Sequence, residues 1–348
     1  MLSDRKIKIL EAIIKDYIVH GEPISSRTIE KKHNLGISSA TIRNEMSDLE
    51  EMGLIVQPHA SSGRIPTDAG YRMHVDRMEI SGLGEKERAY LNEIIVSNIN
   101  NMEVLMKETA KAISVLTNYT TIVSEAGVKR LVIRYIQLMP LDANSIVVTV
   151  ITVSKVIKNA ALSVDTELDI NTLNQLTAFL NHILRDKTVE DITGIIIENS
   201  PHKHLLDSIL DIIAKILTSE EEIEVFTSGV NKILTYPEFS NVSKAEGIFK
   251  ALEEKEILIN LLDKNDSDNV QVIIGSENAL EQVQDCSIIK ANYQGAGQSV
   301  GAIGIIGPKR MDYYNAVSIL KEVVKNINSV LYEVTTAATK SEDGGTTE

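Results

Sequence analysis

Apolar positions Ile7, Leu10, Ile13, Ile14, Tyr17 and Ile18 recur at spacings of three and four, which predicts a helix with one buried stripe, capped by Ser3 and starting near Asp4. His20-Gly21-Glu22-Pro23 should end it, with Gly21 free to turn left-handed. A short second helix is expected from Ser25 or Ser26 to about Lys32, then a turn at Asn34-Leu35-Gly36. A third helix, capped by Ser38-Ser39, should run to about Met52. Two short helices around a glycine-containing turn are a helix-turn-helix. The pattern then switches. Leu54–Gln57 reads as a strand, 58–63 as a turn and Arg64-Ile65-Pro66 as a returning strand, together a small hairpin, or wing. Thr67 can cap a further helix through Tyr71 and Val75, and Ser81-Gly82-Leu83-Gly84 reads as a linker.

Beyond it, residues 85–118 predict one long amphipathic helix or two. Strands are expected at Thr121–Glu125, Leu131–Leu138 and Ser145–Val156, with Asp142-Ala143-Asn144 as a turn between the last two. Helix follows from about Asp165 to Leu234, clearest at Thr172–Leu184 and Leu205–Leu217, and again at 244–262. Strands at Val270–Gly275, Ser287–Tyr293 and Ala302–Ile306 surround a helical Glu277–Val283, and a helix at Met311–Tyr332 closes the pattern. Thr339–Glu348 is polar and reads as a disordered tail. No fixed-period repeat is present. Strands, then helices, then strands and a last helix predict an α+β multidomain chain: a sensor-type domain carrying a helical insertion behind the winged helix-turn-helix.

The third helix carries the candidate chemistry. With Ile42 facing inward, Met46 and Leu49 fall within about 40° of it at 100° per residue. The opposite face then holds Ala40, Thr41, Arg43, Asn44 and Ser47. Small and hydroxyl residues let a backbone approach the major groove, and Arg and Asn pair bidentately with guanine and adenine edges. Ser38 and Ser39 should leave backbone N–H groups at the helix start for a phosphate. In the wing, His59, Ser61, Ser62 and Arg64 surround Gly63 and suit phosphate or minor-groove contact. Arg27, Lys31 and Lys32 on the second helix could touch the DNA backbone. On a solitary helix such a polar face is only a solvated surface. The flanking helices and the wing give it its meaning.

Net charge is −14, which argues against a nonspecific nucleic-acid coat. Residues 1–80 hold 11 basic and 12 acidic side chains against 24 and 37 in the rest, so a DNA-binding patch belongs in the first 80 and must be local. No apolar run approaches the roughly 18 residues of a membrane span, and the first residues alternate charge with apolar positions, unlike a signal peptide. Cys286 is the only cysteine, which excludes an intrachain disulfide and a multi-cysteine zinc site and fits a reducing, cytoplasmic location. No cofactor or metal site is expected. The chain has no His-Glu-x-x-His, no Gly-x-Ser-x-Gly and no Walker loop. Gly295-x-Gly297 lacks the dinucleotide fingerprint, and His202 and His204 read as loop residues. No catalytic residues are expected, and the chain is not read as an enzyme.

Four stretches carry a family likeness: Gly21–Thr28, Ser38–Met46 with its Ser-Ser-Ala-Thr-Ile-Arg-Asn-Glu-Met run, Leu49–Ile55, and Gln57–Tyr71 with Pro-His-Ala-Ser-Ser-Gly-Arg-Ile-Pro-Thr. Together with Gly301–Tyr313 near the other end, they resemble the HrcA family in order and spacing across the chain. Lys309 stands where that family more often has Thr. The resemblance implies a homodimer with a winged helix domain at 1–80, a discontinuous GAF-like α/β domain at 84–164 and 235–340, and an inserted dimerisation domain at 165–234, leaving 341–348 as the tail. It also implies repression of heat-shock chaperone operons of the groE and dnaK class. The operator would be an inverted repeat of double-stranded DNA called CIRCE. The GroEL chaperonin would act as modulator, and heat stress would relieve repression. A winged-helix regulator whose GAF-like domain senses a small molecule is the alternative. A thermal-shift comparison of metabolites against chaperonin would separate the two.

Overall fold

A computed structural model describes all residues except 1, 61, 81, 100, 126–130, 154–155, 165–167, 193, 196, 198–200, 219–223, 263–268, 296–297 and 344–348. The chain divides into two compact units. The first comprises Met1–Val123, Phe226–Ala291 and Ile303–Val324, and the second Ser124–Val225, Asn292–Ala302 and Lys325–Glu348.

In the first unit, helix α1 (Asp4–His20) is capped by Ser3, whose hydroxyl accepts from the Lys6 N–H, and ends at Gly21 with φ 69°. Helix α2 (Ser26–His33) is capped by Ser25 and helix α3 (Ser39–Glu51) by Ser38. The apolar stripes meet in one core of Ile9, Leu10, Ile13, Ile14, Ile29, Ile42, Met46 and Leu49. Strands β1 (Ile55–Val56) and β2 (Ile65–Pro66) pair antiparallel, Ile55 opposite Pro66 and Val56 opposite Ile65. Helix α4 (Asp68–Asp76) follows, capped by Thr67. This is the helix-turn-helix with its wing, close to the boundaries that caps and periodicity predict.

The 85–118 segment forms two helices, α5 (Glu85–Asn98) and α6 (Met102–Thr117), with Asn101 capping the second. Strand β3 (Thr120–Glu125) comes next, and far along the chain β7 (Val225–Ser228), β8 (Gln271–Ile274), β9 (Cys286–Gly295) and β10 (Gln298–Pro308) join it. The five strands form one sheet in the order β7-β3-β10-β9-β8. Strand β7 corrects the expectation of helix through Leu234. Val225-Phe226-Thr227 is a branched and aromatic run too short for periodicity to classify, and pairing in the sheet decides it. The predicted 244–262 helix is two, α10 (Val242–Glu253) and α11 (Lys255–Leu262), and Glu277–Val283 holds only short 3-10 turns. Helix α12 (Tyr313–Asp343) runs past Tyr332, so residues 339–343, expected as the start of a disordered tail, are helical, and 344–348 lie outside the described residues.

The second unit has a sheet of its own, β4 (Ile133–Asp142), β5 (Ser145–Thr152) and β6 (Ile157–Ser163), in that order. Strand β6 was not expected. Its Ala-rich sequence has little strand character, and pairing with β5 from Ser145↔Ser163 to Ile151↔Ile157 holds it. Helices α7 (Ile170–Leu184), α8 (Val189–Ile192) and α9 (Lys203–Thr218) complete the unit. Ile133, Ile136, Leu138, Ile146, Val148 and Val150 share one core cluster with Leu173, Leu180, Leu206 and Ile213. The limit anticipated at 164/165 therefore falls inside this cluster, because strands and helices cover each other's apolar faces. Helix α7 also finishes the sheet edge. Asn181 accepts from the Ile136 N–H at 2.8 Å and donates to its carbonyl at 2.7 Å, while Thr177 accepts from the Leu138 N–H at 3.2 Å.

Candidate nucleic-acid interface

Helix α3 turns Ile42, Met46 and Leu49 inward, each 5% exposed or less. Ala40, Arg43, Asn44 and Ser47 are exposed, and Ser39 and Thr41 half-buried. The helix also carries Glu45 and Asp48, which would repel phosphates. Lys6 of α1 takes both, with Nζ 2.8 Å from a carboxylate oxygen of each. Those hydrogen bonds, Asp48's first and Glu45's next, raise the Lys6 ammonium above its usual value. The pairing sets the roll of α3 about its axis and leaves an Arg-Asn-Ser face outward.

The start of α3 differs from expectation. The Ser39 N–H donates to Glu30 Oε1 at 3.0 Å and the Thr41 N–H to Ser38 Oγ at 3.2 Å. The serine hydroxyls of Ser26 and Ser39 lie 3.1 Å apart in a shared hydrogen bond. A carboxylate and a cap thus take the Ser39 and Thr41 N–H groups at the helix start, where a phosphate was anticipated. Glu30 sits nine positions before Ser39, and no local spacing rule links them.

The wing is tied to α3 through Glu50. Its carboxylate accepts from the Gln57 N–H at 3.1 Å and from Arg64 Nε at 2.9 Å, with Arg64 Nη2 at 2.7 Å. Gln57 Nε2 donates to the carbonyls of Ala60 at 3.0 Å and Ser62 at 3.1 Å. Ser62 Oγ accepts from the His59 N–H at 3.1 Å and donates to the His59 carbonyl at 2.7 Å. Backbone bonds of 2.9 Å in both directions join Ile24 to Arg64. Gly63 is the residue this closeness requires, because a Cβ there would overlap the Ile24 carbonyl.

Of the wing residues anticipated to touch DNA, Arg64 and Ser62 are engaged within the protein, His59 is exposed, and Ser61 lies outside the described residues. On α2, Arg27, Lys31 and Lys32 are exposed, Lys32 Nζ lying 3.9 Å from Asp16. Periodicity and motif reading missed Lys6, Glu30, Glu50 and Gln57, which bond to α3 and the wing without lying on the exposed Arg-Asn-Ser face. Among the described residues no three His, Cys, Asp or Glu side chains cluster as a metal site, and no helix is long and apolar enough to cross a membrane.

Comparison with known proteins matches both ends of this architecture. The family model described as "Winged helix-turn-helix transcription repressor, HrcA DNA-binding" matches residues 1–79. "HrcA protein C terminal domain" matches residues 103–317. The heat-inducible transcription repressor HrcA of Lachnoclostridium phytofermentans is 38% identical over 338 residues, covering 94% of this chain and 97% of the relative. That of Clostridium acetobutylicum is 40% identical over 337 residues, covering 95% and 98%. A crystal structure described as a hypothetical protein matches with TM-score 0.58 at 21% identity, covering 96% of this chain and 99% of that one, a likeness of fold.

Proposed function

The chain belongs to the HrcA family, and from that premise we propose that it is a heat-inducible transcription repressor, not an enzyme, which grips operator DNA with α3 in the major groove. The observation that carries this reading is the two-sidedness of α3. Its apolar side is sealed in the winged-helix core, its Glu45 and Asp48 carboxylates are held by Lys6, and Arg43, Asn44 and Ser47 stand exposed. Ala40, Thr41 and the Ser38-Ser39 turn complete the reading face, with His59 at the wing and Arg27 on α2 as backbone contacts.

The finer reading follows the family. The operator is an inverted repeat of the CIRCE type before chaperone operons of the groE and dnaK class. The repressor acts in the cytoplasm as a homodimer, with the GroEL chaperonin as its modulator. We read the five-stranded sheet and its helices as the GAF-like domain, and β4–β6 with α7–α9, about 131–218, as the inserted dimerisation domain. Support for a second copy there comes from the outer face of that sheet, where Tyr135, Met139, Leu141 and Ile157 are 44–63% exposed. One recognition helix reads a few base pairs, and two on a two-fold axis read both half-sites from one face of the duplex. Genome-wide mapping of bound DNA tests the proposal. An inverted repeat upstream of chaperone operons supports it, and bound sites with no repeat would overturn it.

A further inference from the structure

In the first unit the winged helix meets the sheet-bearing part through a row of charged groups. Helix α4 supplies two. Asp68 accepts from Lys309 Nζ and from the Ser276 N–H, both at 2.9 Å. Arg72 Nε donates to Glu277 Oε1 at 2.9 Å, and its Nη2 to the Val272 carbonyl at 2.6 Å. Arg310 reaches the opposite way. Its Nη1 donates to the Ile18 carbonyl of α1 at 3.1 Å, and its guanidinium pairs with Glu238 and lies 5.5 Å from the Tyr236 ring centre. Gly21, left-handed at φ 69°, leaves room for that guanidinium, which would lie 3.1 Å from a Cβ there.

A cavity of about 590 Å³ interrupts this junction, lined by Tyr17, Ile65, Asp68, Tyr71, Lys309 and Arg310 among others. Close packing cannot fix an interface across such a gap. The geometry there depends on directional, charge-assisted bonds around the rim, and guanidinium forks are well suited to it. None of these residues lies on the exposed face of α3 or in the wing turn.

We propose that Asp68–Lys309, Arg72–Glu277 and the Arg310 bonds to Ile18 and Glu238 form an ionic mount. It fixes the direction in which α3 points from the sheet, and so sets the half-site spacing the dimer accepts. The inference rests on the repressor reading and adds how a two-part operator is measured. Half-sites about 34–36 Å apart, one helical turn, or a multiple of that, must be met together. A loosened mount spreads the second recognition helix over wrong directions and lowers its effective concentration at the second half-site.

The test uses the full chain and three duplexes in fluorescence anisotropy: one half-site, the intact inverted repeat, and repeats with the spacer changed by one base pair. For Arg72→Ala with Lys309→Ala, half-site affinity should stay within about twofold of the parent, while affinity for the intact repeat falls about tenfold through lost effective concentration. The penalty for a changed spacer should shrink as well. The exchanged pair Arg72→Glu with Glu277→Arg should restore spacer discrimination that Arg72→Glu alone removes. Unchanged affinity and spacer dependence in the double variant would overturn the mount. So would an equal loss on half-site and repeat, which would mean that these residues only hold the winged helix folded. A parent that binds no inverted repeat would sink the repressor reading itself and the mount with it.

Discussion

Arg64 Nε lies 2.9 Å and its Nη2 2.7 Å from the same oxygen of Glu50, so a wing side chain is spent on α3. The pair is partly buried, with side-chain exposures of 20% and 31%. Its work is to hold the wing at a set angle to α3. In a double-mutant cycle, Glu50→Ala and Arg64→Ala should couple by about 0.5–1 kcal/mol in urea unfolding, the range for a well-oriented partly exposed pair. Additive losses would show that the two act independently.

Arg43 should behave differently, since it is exposed on the face of α3 that we propose reads DNA. Arg43→Ala is expected to cost roughly 1–3 kcal/mol of specific operator binding. Its melting temperature should match the parent. Gel-shift titrations giving equal operator affinity would remove Arg43 from the reading.

At Gly63 the constraint is steric. A methyl group there meets the Ile24 backbone, and either the wing or the turn before α2 must move. Gly63→Ala should destabilise the winged helix by about 1–3 kcal/mol, the usual range for overpacking. A calorimetric scan indistinguishable from the parent's would contradict this close approach.

In the second unit, Asn181 pairs with both backbone groups of Ile136 on the edge of β4. Asn181→Ala leaves an N–H and a carbonyl without their partner, at roughly 1–3 kcal/mol each where water cannot replace it. Amide exchange at Ile136 should accelerate in the variant. Unchanged protection there would mean that another group satisfies the edge.

His74 gives the pH dependence. Burial is the main influence and carries the imidazole below its ordinary 6.5 despite the pull of Glu11. The folded form therefore binds its proton less readily than the unfolded chain. Above about pH 6.5 neither state is charged there and no penalty exists. As pH falls through that value the unfolded chain gains protons first, and stability declines. His74→Gln should flatten this part of the urea-midpoint profile between pH 7 and 5, and a parallel profile would refute the assignment.

The local features of the winged helix were legible in order. Ser3, Ser25, Ser38 and Thr67 cap the helices that periodicity drew, and Ile42-Met46-Leu49 faces inward as helical geometry requires. Each of these depends on residues within one or two turns, and short-range sterics and burial decide them. Long-range pairing was not legible. Val225–Ser228 became a strand because a sheet edge was there to receive it, and Ile157–Ser163 because β5 was. The same holds for the site. Which residues line the exposed side of α3 follows from the sequence alone. That Glu30 accepts from the Ser39 N–H, that Lys6 pairs with Glu45 and that Glu50 claims Arg64 follows only from tertiary structure, because these partners lie 9, 39 and 14 residues apart and meet through packing that no local pattern encodes.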